Sequence, residues 1–132
     1  METINVETGN REEFIEITGK VAGSVSQKGW DSGVLFLFVP HTTAGVFINE
    51  NADPTVPRDI SMVSEKIVPG NLGYTHGEGN SPAHMKSVLF NQSLFVIVEG
   101  GRLMLGTWQG IFFAEFDGPR SRKVWLKFVR GS

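Results

Sequence analysis

Apolar and polar residues alternate with a period of two at the start of the chain, which predicts a half-buried β-strand. One side of this strand carries Ile4, Val6 and Thr8, and the other carries Thr3, Asn5 and Glu7. Gly9-Asn10 has the composition of a turn, and residues 14–18 are typical of a second strand. We therefore expect the two strands to form a hairpin.

The spacing changes to that of a helix between Thr18 and Lys28. Val21, Ala22 and Val25 share one face, Thr18 is the expected cap, and Gly29 is the expected end. A second helix is predicted after Asp53-Pro54, a typical N-cap and N1 pair, and ends before Pro69-Gly70-Asn71. Its apolar stripe consists of Val56, Ile60, Val63 and Ile67.

A continuous apolar run over residues 34–39 predicts a strand that is buried on both faces or lies centrally beneath a helix. Pro40 ends it, and His41 follows directly. Residues 44–50 are expected to be the return strand. This pairing places His41 at one end of the two strands and Glu50 at the other.

The last third of the chain predicts one short helix and more strands. In the helix, Met85, Val88 and Leu89 form the apolar side and Lys86 faces away from it. Residues 93–98 and 102–105 predict one hairpin, and residues 108–116 and 122–129 a second. Residues 1–132 are thus expected to form one α+β domain, an antiparallel sheet or β-sandwich of about eight strands with two or three short helices.

Composition excludes several classes of protein. A net charge of -2 over 132 residues gives no basis for nucleic-acid binding. The absence of cysteine excludes a disulfide scaffold, a thiolate nucleophile and a cysteine-ligated zinc. The N-terminus has no signal-peptide pattern, and no apolar run is long enough for a bilayer. We expect a cytoplasmic protein without a membrane partner.

Two of the three histidines, His76 and His84, bracket a polar, glycine-rich segment. Their spacing of eight residues is too long for one helical face, so the segment is predicted to be a loop, with Pro82 starting a helix that carries His84. The histidines are either metal ligands or exposed loop residues. Glu78, inside the loop, is a candidate for metal binding or proton transfer.

Other charged and aromatic residues allow two interpretations each. Glu50 emerges from an apolar strand, yet strand-end carboxylates commonly serve solvation. The turn around Trp108, residues 106–110, is either a tight strand corner or a pocket wall or subunit contact. Basic residues that either receive an anion or merely solubilise the chain are Arg58, Lys86, Arg120, Arg122 and Lys123. No dinucleotide or P-loop fingerprint accompanies them.

Three groups of motifs together resemble the YjbQ-like family, also described as secondary thiamine-phosphate synthases. The first is residues 41–45 (HTTAG) and 49–54 (NENADP) with Arg58-Asp59. The second is residues 74–80 (YTHGEGN) with His84-Met85-Lys86. The third is residues 106–111 (GTWQGI) and 115–120 (EFDGPR). The motifs cover nearly the whole chain in order.

The resemblance implies a β-sandwich that assembles as a homotrimer around polar clefts, with histidine-bound zinc or, alternatively, magnesium. It also implies a weak, secondary thiamine phosphate synthase activity beside an unsettled primary role. The metal is expected at His41, His76 and His84. Glu50 and Glu78 are the expected catalytic acid/base groups or additional ligands.

The implied substrate is a small phosphorylated metabolite. The residues expected to contact it are Lys86, Arg120 and Trp108. Two other functions are consistent with the same residues. One is a non-catalytic module that binds a phosphorylated metabolite, and the other is a metal-dependent hydrolase.

Overall fold

Two antiparallel sheets enclose the main core in the computed structural model, which describes residues 1–131. The eight strands within that range are β1 (Glu2–Glu7), β2 (Glu13–Glu16), β3 (Gly33–Phe38), β4 (Ala44–Glu50), β5 (Ser93–Glu99), β6 (Arg102–Leu103), β7 (Gln109–Glu115) and β8 (Ser121–Arg130). The larger sheet has the order β1-β8-β3-β5-β6, and the smaller has the order β2-β7-β4. With three helices on this framework, the α+β prediction is confirmed.

Strand partners differ from most of the predicted hairpins. The β5–β6 hairpin is present, with Val98 opposite Leu103. The other three expected pairs are wrong, because β1, β3 and β8 lie in one sheet while β2, β4 and β7 lie in the other. Each short connection crosses from sheet to sheet. Alternating apolar residues require only that one strand face meets the core, so they do not specify which strand lies alongside.

Strand β3 is buried on one face and not on both. Leu35 and Leu37 point into the core, whereas Phe36 and Phe38 are 46% and 45% exposed on the outer face of the five-stranded sheet. Neighbouring strands add apolar side chains to that face, and Trp125 stacks on Phe38 with 5.8 Å between ring centroids. The outer apolar face consists of Phe36, Phe38, Phe95, Ile97, Trp125 and Val129.

The first two helices begin and end close to the predicted residues. Helix α1 is Thr18–Lys28 and ends at Gly29, whose φ of 64° is left-handed. Thr18 is not its cap, because the hydroxyl donates to Glu16 and accepts from the Ile111 N–H. Helix α2 is Thr55–Ile67, and the Asp53 carboxylate accepts the N–H of Thr55 at 2.9 Å.

Helix α3 (Ser81–Leu89) packs with the side opposite to the predicted one. Met85, Val88 and Leu89 are exposed, whereas Ala83, Lys86 and Ser87 are buried. The Ser87 hydroxyl donates to the carbonyl of Ala44 at 2.8 Å, which holds the helix close to β4 and favours small residues there. Within the described residues, no helix has the length and apolarity to cross a membrane.

Candidate functional site

A cleft of about 480 Å³ opens at the end of the sandwich where β3 ends and β4 begins. It is lined by the β3–β4 connection, by the loop between His76 and His84 (the histidine loop) and by the β7–β8 connection. All three segments contain residues of the sequence motifs. The lining residues are Phe38, Val39, Pro40, His41, Thr42, Thr43, Glu78, Asn80, Gln92, Asp117, Arg120 and Arg122. The cleft therefore joins basic, acidic and amide side chains from distant parts of the chain.

A buried ion pair forms the floor of this cleft. Glu115 and Arg122 are both almost completely buried, and the Arg122 Nε donates to Glu115 Oε1 at 2.8 Å. The Arg122 Nη2 donates to Glu115 Oε2 and to Thr43 Oγ1. Two parallel donors on one carboxylate fix the plane of the guanidinium group.

Further donors keep Glu115 ionised. The Thr8 hydroxyl donates to Oε1 at 2.7 Å, and the Asp117 N–H donates to Oε2 at 3.0 Å. Burial by itself raises the pKa of Glu115, but the hydrogen bonds from Arg122, Asp117 and Thr8 outweigh it and lower that pKa. The floor is thus a charged pair at neutral pH.

A second charged group forms the rim. Asp117 Oδ2 accepts from Asn80 Nδ2 at 2.8 Å and from Arg120 Nη2 at 3.1 Å. These contacts join the histidine loop to the β7–β8 connection. Burial acts to raise the pKa of Asp117, but the hydrogen bonds from Asn80 and Arg120 lower it. Arg120 is exposed, so it can approach a ligand from the rim.

His41 is held by the backbone next to Arg122. Its Nε2 accepts the N–H of Lys123 at 2.9 Å. Burial and the positive charge of Arg122 lower the pKa of His41, which favours the neutral ring. A neutral imidazole that accepts through Nε2 carries its proton on Nδ1.

His76 and His84 form a separate pair. Their rings are nearly perpendicular, with 5.2 Å between centroids. Glu78, between them in sequence, lines the cleft, whereas neither ring does. Within residues 1–131, no three histidine, aspartate or glutamate side chains are grouped as the ligands of one ion. Within one chain the structure thus brings His76 and His84 together and places His41 in the cleft.

Glu50 and Trp108 lie at the far end of the sandwich. Glu50 lies six positions along strand β4 from Ala44, a span of about 20 Å. Glu50 faces Gln109 in the register of β4 and β7. Trp108 is exposed in the adjoining turn, where its carbonyl accepts the Asn51 N–H at 3.0 Å. Neither side chain lines the cleft, so within one chain the structure does not bring Glu50 and Trp108 together with His41.

Lys86 also lies outside the cleft. Its buried ammonium donates to both carboxylate oxygens of Glu12 at 3.0 Å and to Glu65. The cluster joins α3 to α2 and to the segment before β2. Contacts with two carboxylates leave this lysine poorly suited to bind a phosphate, contrary to the sequence-based expectation.

Sequence reasoning missed the buried pair Glu115–Arg122, although a signal was present. Arg122 shares one face of β8 with Val124 and Leu126, and Glu115 interrupts an otherwise apolar run over residues 111–116. A charged residue at an inward position requires a partner, because an unpaired charge is costly to bury. Two such positions in neighbouring segments would have predicted the pair.

The fold and the cleft define a small α+β sandwich protein with a polar cleft at one end. The family described as UPF0047 protein YjbQ-like matches residues 2–131, and this chain belongs to that family. Its sequence is 48% identical over 124 residues to the UPF0047 protein MJ1081 of Methanocaldococcus jannaschii, covering 94% of this chain and 90% of the relative. It is 46% identical over 130 residues to YugU of Bacillus subtilis, covering 98% of each.

Solved structures agree with this assignment. An uncharacterised YjbQ/UPF0047 protein from Clostridium acetobutylicum superposes with a TM-score of 0.94 at 49% identity, covering 98% of this chain and 100% of the other. The conserved hypothetical protein TT1486 from Thermus thermophilus superposes with a TM-score of 0.91 at 43% identity, with 98% and 100% coverage. The family and its fold are therefore established for this chain.

Proposed function

We propose that the cleft binds a small phosphorylated metabolite. The observation that carries this proposal is the presence of two guanidinium groups, Arg120 and Arg122, in one cleft beside His41. Guanidinium groups are complementary to phosphate in charge, and they can donate two parallel hydrogen bonds to its oxygens. Glu78 lines the same cleft and provides a place for a cationic or hydrogen-bond-donating part of the ligand.

We further propose a secondary thiamine phosphate synthase activity, in which a hydroxymethylpyrimidine diphosphate and a thiazole phosphate combine and release pyrophosphate. In this reaction Arg120 and Arg122 donate hydrogen bonds to the phosphate oxygens. Glu78 is the member of the expected catalytic pair that lines the cleft, so it is our candidate for holding or moving a proton. Glu50 has no direct role in one chain, because it lies at the opposite end of β4.

We propose zinc, with magnesium as the alternative, at the His76–His84 pair. Two imidazoles on one tetrahedral zinc, each with a nitrogen ~2.0–2.1 Å from the ion, have ring centroids about 5 Å apart. The observed separation of 5.2 Å fits this arrangement for two of the ligand positions. A bound cation supplies Lewis-acid polarisation of a phosphate oxygen. The residues' own contribution is to hold the ion beside the loop that carries Glu78.

The activity is tested by product formation from the two phosphorylated precursors. We expect metal-dependent turnover below roughly 1 s⁻¹, the low end of ordinary enzymes, because the chain has no glycine-rich phosphate cradle. His84→Ala should abolish turnover at unchanged circular dichroism, whereas the control Glu50→Gln should retain it. Faster turnover would make this activity the primary one, and full activity in His84→Ala would exclude the loop from the mechanism.

The same assay separates the two other functions. Release of inorganic phosphate from a precursor, without coupling, would identify a metal-dependent hydrolase. Saturable binding of a precursor without any turnover would identify a non-catalytic module. The module is favoured specifically by the position of the His76–His84 pair, whose rings do not line the cleft.

The metal proposal has its own measurement. Calorimetric titration of the metal-free protein with zinc should show one site that His84→Ala weakens strongly. His41→Ala distinguishes a zinc site at His76 and His84 from a site that also includes His41. Weakened zinc binding in this variant would restore the three-histidine centre, and unchanged binding would leave the pair with ligands from elsewhere.

We also propose that the protein assembles as a homotrimer through its outer apolar face. Six large apolar side chains are exposed together on the five-stranded sheet, more than a monomer ordinarily leaves in contact with water. Sedimentation equilibrium at micromolar concentration should give a trimer, which Phe95→Asp dissociates. A monomeric wild-type protein would overturn the proposal. Trp108→Ala, at the opposite end, tests whether that turn also contributes to the contact.

A further inference from the structure

Arg122 keeps part of its hydrogen-bonding capacity free for the cleft. A guanidinium group has five N–H donors. In Arg122 the Nε and Nη2 donors are directed to Glu115 and Thr43, and within residues 1–131 no protein acceptor contacts Nη1. Within that range, Asn80 Oδ1 is the one side-chain polar atom that is both fully buried and without a partner. Arg122 Nη1 has no partner either, so it is not fully buried. Since Arg122 lines the cleft, its Nη1 donors are open to a ligand there.

His41 provides a second donor beside Arg122. Its Nε2 accepts the N–H of Lys123, the next residue along β8, which places the imidazole next to the Arg122–Lys123 peptide. Because that nitrogen acts as an acceptor, the ring proton is on Nδ1, which then acts as a donor. A protonated Nδ1 and an occupied Nε2 leave His41 without a free lone pair for a metal.

Both donors are fixed before any ligand arrives. The Arg122 plane is set by the two bonds to Glu115, and the His41 ring is set by the backbone of a sheet strand. Donors that need no reorganisation bind an anion with less loss of side-chain entropy than flexible surface lysines do. Arg120, exposed on the rim and hydrogen-bonded to Asp117, can add a third contact.

We propose that Arg122 Nη1 and His41 Nδ1 form a phosphate clamp in the cleft, so that His41 recognises an anion and does not ligate the metal. The ligand class is a phosphate monoester whose terminal oxygens accept hydrogen bonds from these two groups. This inference deepens the proposed function and rests on its assignment of the cleft to a phosphorylated ligand. It makes a claim about individual atoms that turnover alone does not test.

The wild-type protein provides the first test. Nitrogen-15 NMR of histidine in metal-free protein at neutral pH should show His41 with a protonated Nδ1 and an unprotonated Nε2. Inorganic phosphate should shift the His41 Nδ1 signal and saturate. The opposite tautomer, or a His41 signal that does not respond to phosphate, would overturn the clamp.

Variants provide the second test, by calorimetry with inorganic phosphate in the presence of a chelator. Arg122→Lys keeps the charge but loses the planar fork, and it should weaken phosphate binding roughly tenfold or more. His41→Phe should weaken it to a smaller extent, and it remains informative if Arg122→Lys fails to fold. Lys66→Gln is the matched control, because Lys66 is exposed on α2 and belongs neither to the cleft lining nor to the outer apolar face.

The outcomes separate this inference from the proposed function. Phosphate binding that needs Arg122 and His41, without thiamine phosphate formation, would keep the clamp and reject the activity. Thiamine phosphate formation that survives in both variants would keep the activity and reject the clamp. Equal weakening by Lys66→Gln would show that net charge alone governs binding, which also rejects the clamp.

Discussion

Two basic residues, Arg122 and Lys86, are buried in this protein, and they differ in the burial of their carboxylate partners and in the donors that remain available. Arg122 is 4% exposed and pairs with Glu115, which is itself completely buried. Lys86 is 1% exposed and pairs with Glu12 and Glu65, whose side chains are 31% and 56% exposed. Lys86 directs its ammonium to two carboxylates, whereas Arg122 retains donors that reach an open cleft.

This difference shows that burial and charge do not by themselves identify a binding residue. An ammonium group has three donors, and the carboxylates of Glu12 and Glu65 engage them in joining α2 and α3. A guanidinium group has five, so Arg122 can be anchored and still bind a ligand. The useful criterion is therefore the number of donors left over and the space that they face.

The largest expected effect is that of Glu115→Ala. This change leaves the Arg122 guanidinium buried without its counter-charge, and the free energy of unfolding should fall by about 3–5 kcal/mol. Urea unfolding followed by circular dichroism measures it. A loss below about 1 kcal/mol would mean that water or another acceptor readily replaces the carboxylate, and the floor of the cleft would then not be rigid.

A smaller effect is expected for Lys86→Met. The apolar methionine fills a similar volume beside Phe116, and Glu12 and Glu65 can turn toward water, so the loss should be about 1 kcal/mol. Phosphate affinity in calorimetry should not change. A loss as large as that of Glu115→Ala, or weaker phosphate binding, would erase the distinction between the two buried cations.

The pH dependence of the free energy of unfolding provides a further test of the buried Glu115–Arg122 pair. The pKa of Glu115 is lower in the folded protein than in the unfolded chain, so the unfolded state binds a proton first as the pH falls. The resulting stabilisation is fully present above the ordinary glutamate pKa of 4.5 and disappears as the pH falls through the lower folded value. Denaturation series between pH 7 and about pH 3 should show a shallower acid-side loss for Glu115→Gln than for wild type.

If the free energy of unfolding falls equally with pH in wild type and Glu115→Gln, the acid sensitivity arises from other carboxylates. Asp117, whose pKa is also lowered in the folded protein, is the next group to replace. Asp117→Asn retains the volume of the side chain, so it tests the charge of the rim separately from that of the floor.

The smallest effect is expected for Glu50→Gln, at the far end of the sandwich. The side chain is partly exposed and no ion pair within residues 1–131 holds it, so stability should change by no more than about 0.5 kcal/mol. Phosphate affinity should be that of the wild type. Weakened binding in this variant would indicate that a Glu50 from a second subunit reaches the cleft, and Glu50→Gln would then make no difference to binding in a dissociated Phe95→Asp protein.

Local sequence signals determined the elements of this protein. Alternation along residues 3–8, helical spacing over Thr18–Lys28 and the glycine pair in the β5–β6 turn each depend on neighbours within a few residues. The histidine loop and the proline that starts α3 were also predicted from neighbouring residues. The family motifs then indicated the class of fold. These predictions succeeded because backbone geometry and turn chemistry act over short distances.

Tertiary structure decided how those elements are partnered. The apolar patterns of β1 and β3 showed that these strands meet the core, but the crossing of their connections between the sheets determined which strand pairs with which. The side of α3 that is buried was set by the close contact of Ser87 with β4 and by the Lys86 cluster, against the apolar pattern. The cleft itself joins residues 41, 78, 117 and 122. Such proximity arises from long-range packing, and hydrophobic periodicity carries no information about which distant charged groups will meet.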